Sequence, residues 1–276
     1  MQTLGINDLE YRAITAYIYN LCGIHLTDEK RYLIENRLGP IVKKYNYSNY
    51  SELYFKAKTD STNQLDAEIV DAITTNETSF FRDGSPFELL THKIIPEFYT
   101  QNSQSTELKI WSAASSTGQE LYSIVMVLRE LLGTFEGYNI RILGTDISDD
   151  MISKASRAAY SQFELNRGLS ERQIQKYFHK RMDNLYYIND ELRSICCFQK
   201  FNLFDSFMPL GKFDIIFLRN VAIYFNLDDK KYIFDRLADQ LKPGGLLIIG
   251  STESLLGVTE KYQSNSYKNS IYYTVA

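Results

Sequence analysis

Cysteine, histidine and long apolar runs are all scarce in this chain. Its three cysteines are Cys22, Cys196 and Cys197, an odd number with two adjacent. That pattern fits neither a disulfide framework nor a zinc cluster, and it points to packing in a reducing compartment. Histidine is as rare, at positions 25, 92 and 179, and no metal site is expected. No apolar run approaches the ~20 residues needed to cross a bilayer. Asp8, Glu10 and Arg12 occupy the stretch where a secretory signal would need an apolar centre. A cytoplasmic protein without direct membrane insertion is expected. Excess positive charge is missing too: the formal net charge is −4, which argues against a dedicated nucleic-acid binder. At 276 residues with 44% hydrophobic content, the chain can build one large domain or a small domain on a larger one.

What is present falls into two patterns. From residue 6 to about 74, apolar positions recur at helical spacing, first Leu9, Ile14, Ile18 and Leu21, then Leu33, Ile34, Leu38, Ile41 and Val42. This predicts an all-α N-terminal domain over residues 1–75, with Gly39-Pro40 breaking or kinking its second helix. From about Leu108, short apolar strands alternate with amphipathic helices, which predicts an α/β domain with a mostly parallel sheet over residues 107–276. The expected strands are 108–113, 140–145, 213–218 and 246–250, with helices at 120–132, 148–158 and 228–241. The turn Lys242-Pro243-Gly244-Gly245 should stop the last helix, and 270–275 should add an antiparallel edge. Residues 185–188 and 195–198 lack an intervening helix and read as a small antiparallel insert at about 183–200. The segment 76–106 is expected to connect the domains, with 85–106 as the linker proper.

In an open parallel sheet, ligands bind beyond the carboxyl ends of the strands, where strand order reverses. The first strand runs into Ser115-Ser116-Thr117-Gly118-Gln119-Glu120, whose small residues let backbone approach a ligand. The three-glycine loop that packs a pyrophosphate on a helix N-terminus is absent, which argues against NAD. The second strand ends at Asp146, which can accept hydrogen bonds from ribose hydroxyls or cap the helix near Ser148. Glu120 is ambiguous in the same way, because a helix's first turn favours an acid. Together these acids suit a nucleoside that carries positive charge, and S-adenosylmethionine meets that description. Asn202-Leu203 and Asn220-Val221 follow two further strand-like runs, and asparagine supplies both a donor and an acceptor.

One segment belongs to neither pattern. Thr75–Asp83, TNETSFFRD, sets Asn76, Thr78 and Ser79, two phenylalanines and an arginine within nine residues. It reads either as a helix-to-helix connector with a solvated Arg82, or as a site in which Arg82 offers a fork of donors to a carboxylate beside drying aromatic surface.

With WSAASSTGQE at 111–120, ILGTDIS at 142–148, FLRNVAIYF at 217–225 and KPGGLLIIGSTES at 242–254, this segment resembles the CheR family of chemoreceptor protein-glutamate methyltransferases across nearly the whole chain. The resemblance implies a Rossmann-like S-adenosylmethionine-dependent methyltransferase domain with a small antiparallel β insert, preceded by an all-α domain. It implies cofactor contacts at Asn76, Thr78, Arg82, Glu120, Asp146, Asn202, Leu203, Asn220 and Val221, with Arg82 and Tyr224 facing the reacting carboxylate. The product would be S-adenosylhomocysteine, and the partners the cytoplasmic methylation helices of chemoreceptors, met by a monomer. Leu121 departs from the family's usual proline. The insert reads shorter than in members that bind a receptor-tail pentapeptide, which leaves tail-tethered recruitment unsupported.

A glutamate side chain has a pKa near ~4.3, so at neutral pH it is already a nucleophilic carboxylate and needs no general base. Acidic receptor helices would call for a basic surface, and Lys30, Arg37 and Lys44 recur every seven residues as one stripe on a continuous helix. A module that binds S-adenosylmethionine to regulate a partner, without methyl transfer, is the alternative, and Arg82 with Tyr224 weighs against it.

Overall fold

The computed structural model describes residues 5–103 and 106–276; positions 1–4 of the expected helical domain and 104–105 of the expected connector lie outside them. Four helices open the chain: α1 (Asp8–Cys22), α2 (Arg31–Lys44), α3 (Tyr50–Thr59) and α4 (Gln64–Ile73). A capping box starts α1, with Asn7 accepting from the Glu10 amide and Glu10 accepting from the Asn7 amide. The buried stripe of α1 is Tyr11, Ile14, Ile18 and Cys22, and Leu9, expected on it, is 79% exposed. Glu10 is buried instead, because its carboxylate completes the cap and also accepts from the Ser51 amide. The expected break at Gly39-Pro40 does not occur, and α2 runs through it. Leu38, Gly39, Ile41 and Val42 are buried on both sides of the proline, and that packing offsets the hydrogen bond the proline removes.

The stretch 85–106, expected as a linker, is largely a helical layer: α5 (Ser85–Leu89), a π-helical turn (Leu90–Ile94) and α6 (Ile95–Gln101). Pro86 falls at the start of α5, where no amide partner is lost, and Pro96 falls where the π-helical turn passes into α6. Phe87, Leu89, Leu90, Ile94 and Ile95 enter the core of the α/β domain.

That domain contains β1 (Leu108–Ala113), α7 (Gln119–Leu132), β2 (Ile140–Asp146), α8 (Asp149–Arg157), β3 (Ala159–Tyr160), α9 (Gln162–Asn166), α10 (Glu171–Tyr177), β4 (Phe178–Lys180), β5 (Tyr186–Ile188), α11 (Asp190–Arg193), β6 (Cys196–Lys200), β7 (Phe213–Leu218), α12 (Leu227–Gln240), β8 (Leu241–Ile249), β9 (Tyr262–Tyr267) and β10 (Ser270–Val275). Among the described residues seven strands form one sheet in the order β6-β2-β1-β7-β8-β10-β9. The first five are parallel, and β10 and β9 add the antiparallel edge. Strand order reverses between β1 and β7, which places a crevice at their carboxyl ends. One core cluster lies under α7 and the helical layer at 85–101, and a second includes α12 and the buried Trp111.

Two boundaries differ from expectation. The small antiparallel sheet is β3-β5-β4, and Cys196–Lys200, read as part of the insert, is the parallel edge strand of the main sheet, pairing Ile142 with Cys196. The missing helix between β5 and β6 is the single turn α11, too short to leave a helical pattern. The insert therefore spans about 159–193, longer than the 183–200 expected. Lys242–Gly245 is also no free turn: β8 starts at Leu241 and absorbs those residues as a bulge, since Phe213 pairs with Leu241 and Ile215 with Leu246.

Candidate active site

The loop after β1 is wound tightly around the crevice. Ala114, Ser116 and Gly118 take positive φ of 60°, 50° and 89°, and only one of the three is a glycine. Phe81, Asp83 and Asn220 are also left-handed, at 49°, 69° and 58°. Such residues cost of order 1–3 kcal/mol each and persist where surrounding structure over-determines them. Ala114, Ser116 and Asn220 line one cleft, which encloses about 910 Å³ of non-protein space partly open to solvent, and Phe81 and Asp83 flank its lining residue Arg82.

All ten residues expected at the cofactor and reacting carboxylate line that cleft: Asn76, Thr78, Arg82, Glu120, Asp146, Asn202, Leu203, Asn220, Val221 and Tyr224. Asp146 is 6% exposed. It is not the cap of α8, because Ser148 caps that helix by accepting from the Met151 amide. The Asp146 carboxylate accepts from the Ser116 amide at 2.8 Å and the Ser148 amide at 3.0 Å. Burial raises its pKa, these amides work against that rise, and Asp71 adds to it. Two backbone donors leave lone pairs on both oxygens.

Glu120 accepts from Ser112 Oγ at 2.7 Å and from Arg219 Nη1 at 2.7 Å. Arg219 has a side chain only 2% exposed and also grips Asp83 at 2.8 Å. Sequence reasoning passed over Arg219, Asp83 and Ser112. A charged residue closing the apolar run Phe213–Leu218 was the available signal, since a buried guanidinium demands acid partners.

The helical domain forms one wall of the cleft through Cys22, Ile24, Thr74 and Thr75. Burial pushes the Cys22 thiol up to about 11, so it stays protonated at neutral pH. Asn202 donates to the Leu21 carbonyl at 2.9 Å and accepts from the Phe204 amide at 3.1 Å. It thus ties the two domains together as well as lining the cleft. Ser116 Oγ donates to the Asn76 carbonyl at 2.8 Å, fastening the β1–α7 loop to TNETSFFRD. Arg82 lines the cleft while its Nη1 donates to the Glu77 carbonyl at 2.8 Å. Phe80 is buried, packing edge-on against Tyr160 and Phe178.

Two of the three basic stripe residues have partners within the protein. Arg37 donates to the Ile73 and Thr74 carbonyls at 2.5 and 2.9 Å and to Thr75 Oγ1 at 3.0 Å. Lys44 pairs with Glu68 at 2.8 Å. Lys30 belongs to a separate 3-10 turn before α2, so the three do not share one continuous helix.

A doubly wound sheet with an acid at the end of its second strand, a second acid opening the first crossover helix and no pyrophosphate loop defines a class, the S-adenosylmethionine-dependent methyltransferases. Residues 76–271 match the family described as CheR methyltransferase, SAM binding domain, and residues 9–74 match CheR methyltransferase, all-alpha domain. The chain belongs to the CheR methyltransferase family. It is 40% identical over 265 residues to chemotaxis protein methyltransferase 1 of Vibrio cholerae serotype O1, covering 95% of each chain. It is 39% identical over 265 residues to a chemotaxis protein methyltransferase of Vibrio anguillarum, again covering 95% of each. It is 31% identical over 265 residues to the chemotaxis protein methyltransferase of Escherichia coli strain K12, covering 95% of this chain and 90% of that one.

The cleft fits S-adenosylmethionine on its own chemistry. Ser115 Oγ and Arg219 Nε are buried cleft-lining atoms without a partner among the described residues, and such atoms call for a polar ligand. Asp146 retains acceptor capacity, and the Glu120–Asp83–Arg219 group carries two negative charges against one positive, a net surplus suited to a cationic ligand.

Proposed function

We propose that this protein transfers the methyl group of S-adenosylmethionine to glutamate side-chain carboxylates of chemotaxis receptors, leaving glutamate methyl esters and S-adenosylhomocysteine. The observation that carries the reading is the convergence of Arg82 and Tyr224 on the same cleft as Asp146 and Glu120. That arrangement gives one space a carboxylate-orienting end and a nucleoside-holding end.

When bound, S-adenosylmethionine supplies a methyl carbon activated by its sulfonium. Asp146 would hold the ribose hydroxyls, Glu120 the ammonium end, and Leu203 and Val221 the apolar wall. More than about 99% of a free glutamate side chain is ionised at neutral pH, so no residue here has to take a proton. Arg82 aligns the incoming carboxylate oxygen with the methyl carbon, and the Tyr224 hydroxyl donates to the other oxygen. Alignment of this kind supplies ~7–11 kcal/mol of barrier reduction. An ion pair that is too tight would blunt the nucleophile, which suits the guanidinium of Arg82 because it is only half-buried and already shared with the Glu77 carbonyl.

The test is the chemistry of the product. Methyl-labelled S-adenosylmethionine and a receptor methylation fragment should give label that mild base releases as methanol. Base-stable label would assign the transfer to nitrogen or sulfur and overturn the reading.

A further inference from the structure

We infer that Arg219 is a positioning residue that sets the substrate-facing turn at Arg82 in register with the cofactor-facing Glu120. The inference rests on the methyl-transfer reading above and adds a residue to it. Arg219 follows β7 directly, and its backbone is fixed from the β8 side, because Glu253 accepts from both the Asn220 amide and the Gly250 amide at 2.8 Å. The guanidinium then makes three contacts from one planar group. Nη1 meets Glu120 Oε2 at 2.7 Å, and Nη2 meets the Arg82 carbonyl at 2.7 Å and Asp83 Oδ2 at 2.8 Å. A planar fork holds its acceptors at fixed separations, which a lysine ammonium does not do.

The turn it grips needs holding. Phe81 and Asp83 are both left-handed without being glycine, so the turn is strained and will relax if released. Ser123 anchors it at the Phe81 amide, 2.9 Å away, and Arg219 anchors it at Arg82 and Asp83. Released at that second point, the turn would carry Arg82 away from its alignment while Glu120 stayed in place on Ser112. Misplacement by about 1 Å can cost about a hundredfold in rate.

Two variants of the full chain separate positioning from general support. Asp83→Asn removes the charge from one arm and leaves Glu120 paired; Arg219→Lys keeps a charge for Glu120 and loses the fork. Each is assayed for S-adenosylhomocysteine Kd by calorimetry, for kcat and KM with a receptor fragment, and for melting midpoint. The expected result is kcat lowered about tenfold to a hundredfold in each, with Kd for Asp83→Asn within about threefold of wild type. The double variant should be no worse than Arg219→Lys alone, because both act through one contact. Wild-type kcat in Asp83→Asn, or losses that add in the double variant, would overturn the inference. If Arg219→Lys does not fold, Asp83→Asn decides. A wild-type protein that binds S-adenosylhomocysteine and esterifies no carboxylate would instead sink the methyl-transfer reading itself.

Discussion

Asp146 pays for its place in the cleft. A carboxylate buried this far has a raised pKa, so the folded protein holds that proton more tightly than the unfolded chain does. Its stabilising contribution is therefore present at low pH and is lost as pH rises through the raised value. In the proposed complex, ribose hydroxyls donating to the ionised form would reverse the preference, so that binding would favour loss of the proton. Affinity for S-adenosylhomocysteine should fall as pH drops into the window above the usual carboxylate range, and Asp146→Asn should abolish that dependence. Losing hydrogen bonds to a charged acceptor, worth about 1.5–3 kcal/mol, should also weaken binding at neutral pH by roughly tenfold to a hundredfold. Calorimetry across pH reads both effects, and a pH-independent wild type would contradict them. Arg82 makes the opposite prediction. Arg82→Ala should cut kcat by roughly a hundredfold or more and shift cofactor Kd only a few-fold, so stopped turnover with intact calorimetric binding is the expected pairing. Residues at strand ends were legible in the sequence because an apolar strand followed by a small or acidic residue marks its own carboxyl end. Arg219 showed only as a charge closing an apolar run, because its partners Asp83 and Glu120 are brought to it only in the folded chain.

At the scale of elements, TNETSFFRD is both connector and site, and the two descriptions are one. Phe80 drives into the core between Tyr160 and Phe178, and that anchor lets the flanking polar residues face the cleft. The loop after α9 braces it from outside: Arg167 pairs with Glu77 at 2.7 Å, and Gly168, with φ of 137°, lies so close that an added Cβ would meet the Phe80 carbonyl at 2.0 Å. Gly168→Ala should therefore destabilise the fold by about 1–3 kcal/mol, seen as a lower urea midpoint. An unchanged midpoint would mean that the loop is not packed as described. The motif's composition was readable before the fold was known, but its bracing was not, since Gly168 lies 88 residues beyond Phe80 in the same sequence. The edge strand Cys196–Lys200 was misplaced for a related reason. Its burial is patchy, so it lacks the apolar run that marks the central strands, and only its pairing with β2 reveals its sheet.

Across the whole molecule, the helical domain is part of the site. Its α1 ends at Gly23 against the Phe204 ring, the His25 amide donates to the Tyr224 carbonyl at 3.1 Å, and Asn202 reaches the Leu21 carbonyl. Gly23 has φ of 71°, and a Cβ there would come within 2.0 Å of Phe204. Gly23→Ala should loosen this junction and weaken S-adenosylhomocysteine binding by a few-fold, with increased amide exchange at Leu21–Leu26 as the structural readout. Unaltered binding and exchange would show that the wall is dispensable. None of this coupling is visible in a one-dimensional pattern, where the two domains differ in period and meet only at Thr74–Asn76. Methyl transfer stands or falls on what the assembled cleft does to a carboxylate. Tandem mass spectrometry of a receptor methylation fragment, after incubation with S-adenosylmethionine and either wild type or Arg82→Ala, is the direct measurement. Methyl esters localised to glutamate side chains are expected with wild type, with their near-loss in the variant despite retained cofactor binding. Methyl groups on other side chains, or equal esterification by both proteins, would contradict this expectation.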